Sequence, residues 1–501
     1  MRIDRFAIPL ADVVKVARHG DSVDMSADVE HVVATSRQLL LRLIEQGRPI
    51  YGVTTGVGAL ARTPVPSEQA CLLSQRIILS HACGVGAPLE DEQVRAIMVA
   101  AILNFTQGYS GVRPELVRTL MEMLNRHVTP LVPSQGGMGS LTHMAHVGLV
   151  MLGLGEARMQ GRIMPGDEAM RAAGVPTLEL VEKEGLSLVN GTPSKTGLGA
   201  LIMHDAEALS RWADVAGAMS FEALRGTVKA FDDRVHKVRP HAGQIAVAAH
   251  LLRLLAGSEI AERYKDYRVQ DALSLRAMPQ VHGACRDVIE RAHAVTTTEI
   301  NSATDNPLLF EAEAGGVVLS ACNAHGEPMA LAFDQLCVAL TELASISERR
   351  IDRMVNQHVS ELPPFLVKDS GSNSGFMIPQ YVAASLVSEN KVLSHPAAAD
   401  SIPTTSLQED HWSMGTPAAL KAARALRNAQ KVIAIEILTA AQALEFHQPA
   451  RFGAGTQFIY DRVRAVVPPW EDDRVFYPDL HKIIAAVEAG EWLAELEKNL
   501  R

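Results

Sequence analysis

The chain has 501 residues, 47% of them apolar and only 5% aromatic, with a formal net charge of −10 at pH 7. That composition supplies a large core of Ala, Leu, Val and Met, a set suited to helix-on-helix packing, and the acidic balance without a basic run excludes nucleic acid and an anionic membrane as expected partners. Five cysteines, Cys71, Cys83, Cys285, Cys322 and Cys337, odd in number and without a CxxC spacing, predict free thiols of a reducing cytoplasm and neither a disulfide framework nor a zinc site. The N-terminus lacks the basic–apolar–small pattern of a signal peptide, and no run of about 18 apolar residues predicts a membrane span.

Residues 1–50 carry short helical patterns. They lead into YGVTTGVG (51–58), where three glycines around two threonines make a loop with Tyr51 at its entry. Residues 67–82 read as a helix ending in Ser80 and His81, with Gly84 as its stop; a histidine at that end suits a cap on the last carbonyls. Helices follow over 89–107 and 112–127, the second with Pro114 near its first turn. Residues 130–139, PLVPSQGGMG, are glycine-rich loop. Ser140 is then placed to cap a helix whose apolar residues include Leu141, Met144, Ala145, Leu149 and Leu152. Such a turn delivers backbone N–H groups to a helix N-terminus, where a developing anion is stabilised. His143 and His146 share a face of this helix at i,i+3, but no nearby carboxylate pair completes a metal site.

Residues 160–180 look like a surface excursion. In KEGLSLVNGT (183–192), Asn190 stands before Gly191, a strong turn signal. A helical pattern runs from 194 to about 228, RPHAGQ (239–244) breaks it, and 244–256 is a short helix. QDALSLRAMPQ (270–280) carries Gln270 and Arg276, whose guanidinium presents a planar fork to a carboxylate. NSATDNP (301–307) contributes Asn306 and ACNAHG (321–326) contributes Asn323. Three long helices are predicted over 328–357, 376–394 and 415–446; at ~1.5 Å per residue the last spans roughly 45 Å. Between the second and third lies DSIPTTSLQEDHWSMG (400–415) with Glu409. Residues 450–501 read as an irregular stretch and a C-terminal helical cap. The expectation is an all-α long-helix bundle in three parts: 1–200 with the Tyr51 and Gly139 loops, 201–450 with the long helices, and 451–501.

Eight of these stretches, in this order and spanning roughly residues 45–450, resemble the histidine and aromatic amino acid ammonia-lyases. The resemblance implies the all-α fold of that family, assembling through the central helices into a homotetramer with sites shared between subunits. It implies a carbon–nitrogen lyase that removes ammonia from an aromatic or heteroaromatic L-amino acid to leave the acrylate, with no metal and no nucleotide. In the family, an Ala-Ser-Gly triad cyclises into a methylidene-imidazolone, a built-in electrophile. Both flanks of that triad match here but the triad itself does not stand in the sequence, so a fused residue is expected between Gly139 and Ser140. Tyr51 occupies the place of the catalytic base, Asn190 that of the amide holding electrophile and substrate, and Arg276 that of the carboxylate clamp. Gln270, Asn306 and Asn323 fall in substrate-binding motifs. Ser80 and His81 match the histidine-specific branch, and the carboxylate of Glu409 suits an imidazole.

The chain also departs from the family pattern. Ser140 stands for Asp, His143 for Pro, Leu273 for Tyr, Ala324 for Phe and Leu407 for Asn. The losses at Leu273 and Ala324 predict a wider pocket than a standard histidine lyase has. Two alternatives accompany the lyase reading: an aminomutase of the same family, which returns the amine to the β-carbon, and a silent homologue without the electrophile.

Overall fold

A computed structural model describes every residue except 5, 314 and 501. The fold is all-α: among the described residues the strands form four small sheets of two or three strands each. The chain groups into two compact units, and neither is continuous. The first comprises residues 1–204, 292–334 and 396–420, the second 205–291, 335–395 and 421–501. Four of the five boundaries fall inside long helices, Pro193–Ala223, Met278–Ile300, Glu327–Val355 and Gly415–Leu444. Consecutive parts ending at 200 and 450 are therefore not how this chain groups.

In the first unit, Ser26 caps the helix Ala27–Glu45 by accepting from the Val29 amide at 3.3 Å, with Asp28 and Glu30 favourable in its first turn. That helix buries Leu39, Leu40 and Leu43 against Ile50, Val53 and Leu309. Ile50 and Val53 flank Tyr51, so the core anchors the start of the loop that carries it. The helix Ala70–His81 does not use Gly84 as its stop. Its C-cap is Ala82, at φ −78° and ψ 65°. Gly84 instead donates its N–H to His146 Nε2 at 3.2 Å, and a Cβ there would meet His146 and Pro133 at 3.3 Å. Close approach, not a left-handed backbone, is the reason for glycine at that position.

The excursion at 160–180 is an antiparallel hairpin, Glu156–Met159 with Arg162–Pro165, followed by the helix Gly166–Ala173. In the second unit, sequence patterning passed over the helix Met278–Ile300 because Pro279 and Gly283 interrupt it. Proline in a first turn lacks only an N–H that has no intrahelical partner. Gly283 lets the helix Ala242–Leu254 approach, since a Cβ on it would stand 2.4 Å from the Gln244 nitrogen. The same unit buries Asp214 against His250 at 2.8 Å, His282 at 2.8 Å and Arg286 at 2.6 Å. Averaged over a window, Glu327–Val355 is long and apolar enough to cross a membrane; 67% of that window is buried in the protein, as in a core helix. The C-terminal cap is three helices, Ala454–Val466, Tyr477–Ala489 and Glu491–Asn499.

Candidate active site

The first unit holds a cavity of about 430 Å³. Seven residues singled out from sequence line it together: Tyr51, His81, Gly139, Ser140, Asn190, Asn306 and Glu409. Ser80 and Asn323 stand beside it. The Ser80 hydroxyl lies 3.0 Å from His81 Nδ1, and Asn323 donates to the Ala303 carbonyl at 3.1 Å. Gln270 and Arg276 belong to the second unit and do not line this cavity. Arg276 Nε there donates to the Asp271 carbonyl at 3.0 Å, and Gln270 is exposed.

One wall is fully satisfied. Asp305, buried, accepts from Lys183 Nζ at 2.7 Å and Ser187 Oγ at 2.8 Å through one oxygen. Its other oxygen accepts from the Asn306 amide at 2.6 Å and from Asn190 Nδ2 at 3.2 Å. Asn190 also donates to the Asn306 carbonyl at 2.7 Å. The Asn190 side chain is therefore fixed in the cavity by a buried ion pair, and turn-making is only part of its role.

The floor is the loop-to-helix junction, where Gly139 and Ser140 are consecutive residues. Ser140 does not cap the helix Leu141–Met151 with its side chain: its backbone is already near helical at φ −104° and ψ −4°. Its hydroxyl instead accepts from the Ser194 amide at 3.0 Å. Thr416 secures the other side, its hydroxyl donating to the Gly139 carbonyl at 2.5 Å and its amide to the Met138 carbonyl at 3.3 Å. His143 lies under this floor. Burial pushes its imidazole down to about 4, so it is neutral and donates from Nε2 to the Ser134 carbonyl at 3.2 Å. Among the described residues no cluster of His, Cys, Asp and Glu is built to hold a metal.

Four buried polar atoms around this floor have no hydrogen-bond partner among the described residues: Thr142 Oγ1, His143 Nδ1, Ser194 Oγ and Lys195 Nζ. Unsatisfied buried groups cost about 1–3 kcal/mol each, so a concentration of them at one place marks where a polar group belongs. The Gly139–Ser140 junction, where a cyclised triad would stand, adjoins the uncharged members of that set: Thr142 and His143 follow it in the helix, and the Ser194 amide holds Ser140.

Tyr51 accepts at its phenol oxygen from the Gly58 amide at 2.7 Å. Burial and the charge of Glu409 raise its pKa, and the Gly58 N–H opposes them. Within one chain the phenol is thus held protonated, and a proton acceptor here needs a further positive charge close by. His81 is lowered by burial, with Glu409 pulling the other way, so the imidazole is predominantly neutral at pH 7. Glu409 accepts from the Thr405 hydroxyl, and Thr404 Oγ1 stands 3.4 Å from it.

Among the lining residues that sequence reasoning missed, three carry polar rings. His325 and His411 stack at 5.6 Å with ring nitrogens 3.4 Å apart. Trp412 donates from Nε1 to Thr404 Oγ1 at 2.7 Å, and its ring comes within 3.4 Å of where a Cβ on Gly139 would stand. All three lie inside stretches already singled out, and a tryptophan in a chain with four of them was the available signal. Trp412 thus adds an aromatic ring to the floor, in a cavity that Ala324 also lines.

This fold and this cavity define a lyase of the aromatic amino acid class: residues 8–465 match the aromatic amino acid lyase family, and the chain belongs to it. It is a carbon–nitrogen lyase. It is 47% identical over 499 residues to the histidine ammonia-lyase of Alkaliphilus oremlandii, covering 99% of this chain and 98% of that protein. Among solved structures it is similar to histidine ammonia-lyase from Trypanosoma cruzi, with a TM-score of 0.92, 38% identity, and coverage of 99% and 95% of the two chains. It is also similar to tyrosine aminomutase from Streptomyces globisporus, with a TM-score of 0.94, 35% identity and coverage of 99% and 98%.

Proposed function

We propose that this protein eliminates ammonia from L-histidine to give the imidazole acrylate, using a methylidene-imidazolone seated between Gly139 and Ser140. The observation that carries the substrate is Glu409: its carboxylate lines the same cavity as Tyr51 and the neutral His81, which suits a ring bearing N–H donors and a lone pair. The relatives named histidine ammonia-lyase support the same choice. When present, the imidazolone supplies the electrophile that takes the substrate amine and makes it a leaving group. Asn190, Ser194 and the first amides of the helix Leu141–Met151 would hold it. Tyr51 removes the β-proton, and Glu409 with His81 grips the ring.

Among the described residues of one chain, no lysine or arginine lines the cavity. A homotetramer with shared sites answers this need if a second copy brings Arg276 to clamp the carboxylate and to lower the Tyr51 phenol. Light scattering reads the assembly. Mixing inactive Tyr51→Phe and Arg276→Ala proteins restores turnover if the sites are shared. A cytoplasmic location is supported by five cysteines that are all free thiols.

The principal test is incubation with histidine, tyrosine and phenylalanine, with ammonia and acrylate absorbance as readouts, beside an intact mass. The expected outcome is turnover of histidine and a mass exceeding that of the 501 residues by one fused Ala-Ser-Gly. A protein with the bare chain mass and no turnover refutes the reading. Tyr51→Phe lowers kcat by about 10²-fold or more if the phenol is the base. Glu409→Gln weakens histidine turnover by roughly tenfold or more, the worth of one hydrogen bond to a charged group. The likeness to a tyrosine aminomutase favours a second reading, return of the amine to the β-carbon, and a β-amino acid among the products would establish it.

A further inference from the structure

We propose that Lys195 is a positioning residue of this site, its ammonium supplying, from behind the cavity wall, the positive charge that balances negative charge gathering at the Gly139–Ser140 junction during turnover. The inference rests on the ammonia-elimination reading above and deepens it.

Lys195 is 0% exposed, and its Nζ has no hydrogen-bond partner among the described residues. It follows Ser194, whose amide holds Ser140. Its stem runs through a slot between two glycines: a Cβ on Gly415 would stand 2.5 Å from Lys195 Cδ, and one on Gly326 would stand 2.7 Å from Nζ. Each glycine adjoins the site. Gly415 precedes Thr416, which grips the Gly139 carbonyl, and Gly326 follows His325, which lines the cavity. The ammonium is therefore one layer of backbone behind the wall linking the junction to His325.

Burying an ammonium without a partner costs several kcal/mol, and a lysine needed only to fill space is better replaced by methionine. The cavity gives a reason to keep it. Among the described residues its lining carries Glu409, Asp410 and three histidines but no lysine or arginine, so negative charge forming at the junction meets no cation in the lining itself, and Lys195 stands behind it. The groups that face Lys195 leave its charge exposed to that role. Glu299, on the helix Met278–Ile300, acts on it through space, and desolvation raises that carboxyl. Glu327 adjoins Gly326, His325 lies beyond it, His143 under the floor is neutral, and residues 415–420 carry no charge. Desolvation pushes the Lys195 amine down to about 8, so it is charged at pH 7 and loses its proton within reach of an alkaline titration.

Lys195→Met tests this, with kcat and KM for histidine measured from pH 6 to 10, intact mass, and melting temperature. The expected result is kcat lowered roughly tenfold at pH 7, less than the 10²–10³ of a directly bonded donor, with KM unchanged and the fall in kcat above pH 8 abolished. The intact mass stays as in wild type, and the melting-temperature gap between the two proteins closes as pH rises. Glu299→Gln, which leaves the lysine in place, moves the alkaline fall in kcat to lower pH and serves if Lys195→Met does not fold. A Lys195→Met protein with wild-type kcat and the same alkaline fall overturns the proposal. So does a fall unmoved by Glu299→Gln, or loss of the fused-residue mass in Lys195→Met, which would place Lys195 in forming the group. Wild-type protein inactive on histidine refutes the ammonia-elimination reading instead, and this inference falls with it.

Discussion

Lys183 and Lys195 are both fully buried beside one cavity, and their surroundings are opposite. Lys183 adopts a left-handed backbone at φ 69°, unusual for a lysine, and spends its ammonium on Asp305 and Ser187. Through Asp305 that pair fixes Asn190 and Asn306, so this wall of the site is rigid and satisfied. Lys195 threads two glycines and ends without a hydrogen-bond partner among the described residues, in company with the orphaned hydroxyls of Thr142 and Ser194. One wall is built for stability and presents finished geometry. The floor gives up stability to keep charge and hydrogen-bonding capacity in reserve, the usual relation between a preorganised site and its host fold.

The largest way to break this contrast is Lys183→Met. It leaves Asp305 as an uncompensated buried charge and is expected to cost about 3–5 kcal/mol, read as a lower denaturant midpoint at unchanged m-value. If Lys183→Met proves as tolerable as Lys195→Met, the two lysines are not different in kind.

Lys195→Met should act with the reverse sign. The amine sits at about 8 in the fold against 10.5 for the ordinary side chain, so the folded protein binds fewer protons than the unfolded chain between those pH values. Wild-type stability therefore rises with pH across that window, and the lysine penalty is complete below pH 8. Removing it should stabilise the protein at pH 7 by on the order of 3 kcal/mol, with the gain fading between pH 8 and 10.5. Melting curves of both proteins at pH 7, 9 and 10.5 check the sign and the window. The smallest effect is expected for Ser194→Ala. Its hydroxyl has no hydrogen-bond partner among the described residues to lose, and the amide that holds Ser140 is backbone, so stability should change by less than about 1 kcal/mol. A larger loss would mean that the floor is as satisfied as the wall.

Much of this was legible in the residues. Long apolar periodicity located the helices near 328–357, 376–394 and 415–446, because those segments repeat one face for many turns. Local signals failed where a distant partner overrode them. Gly84 reads as a helix stop, but His146 and Pro133 explain it. Ser140 reads as a cap, but Ser194 claims its hydroxyl. Met278–Ile300 is hidden by a proline and a glycine that its neighbours require.

Sequence by itself determined the class of the protein, the order of its motifs and seven of the residues that line the cavity, since these follow from residue type and spacing along one chain. Which of them meet was decided only by the tertiary structure. Tyr51, Asn190, Asn306 and Glu409 come from segments more than a hundred residues apart in places, and packing brings them to one cavity while leaving Arg276 out of it. The state of each group was decided there as well. A lysine's charge depends on what surrounds it in three dimensions, so Lys183 and Lys195, equivalent as letters, become a structural ion pair and an unpaired amine lowered by desolvation.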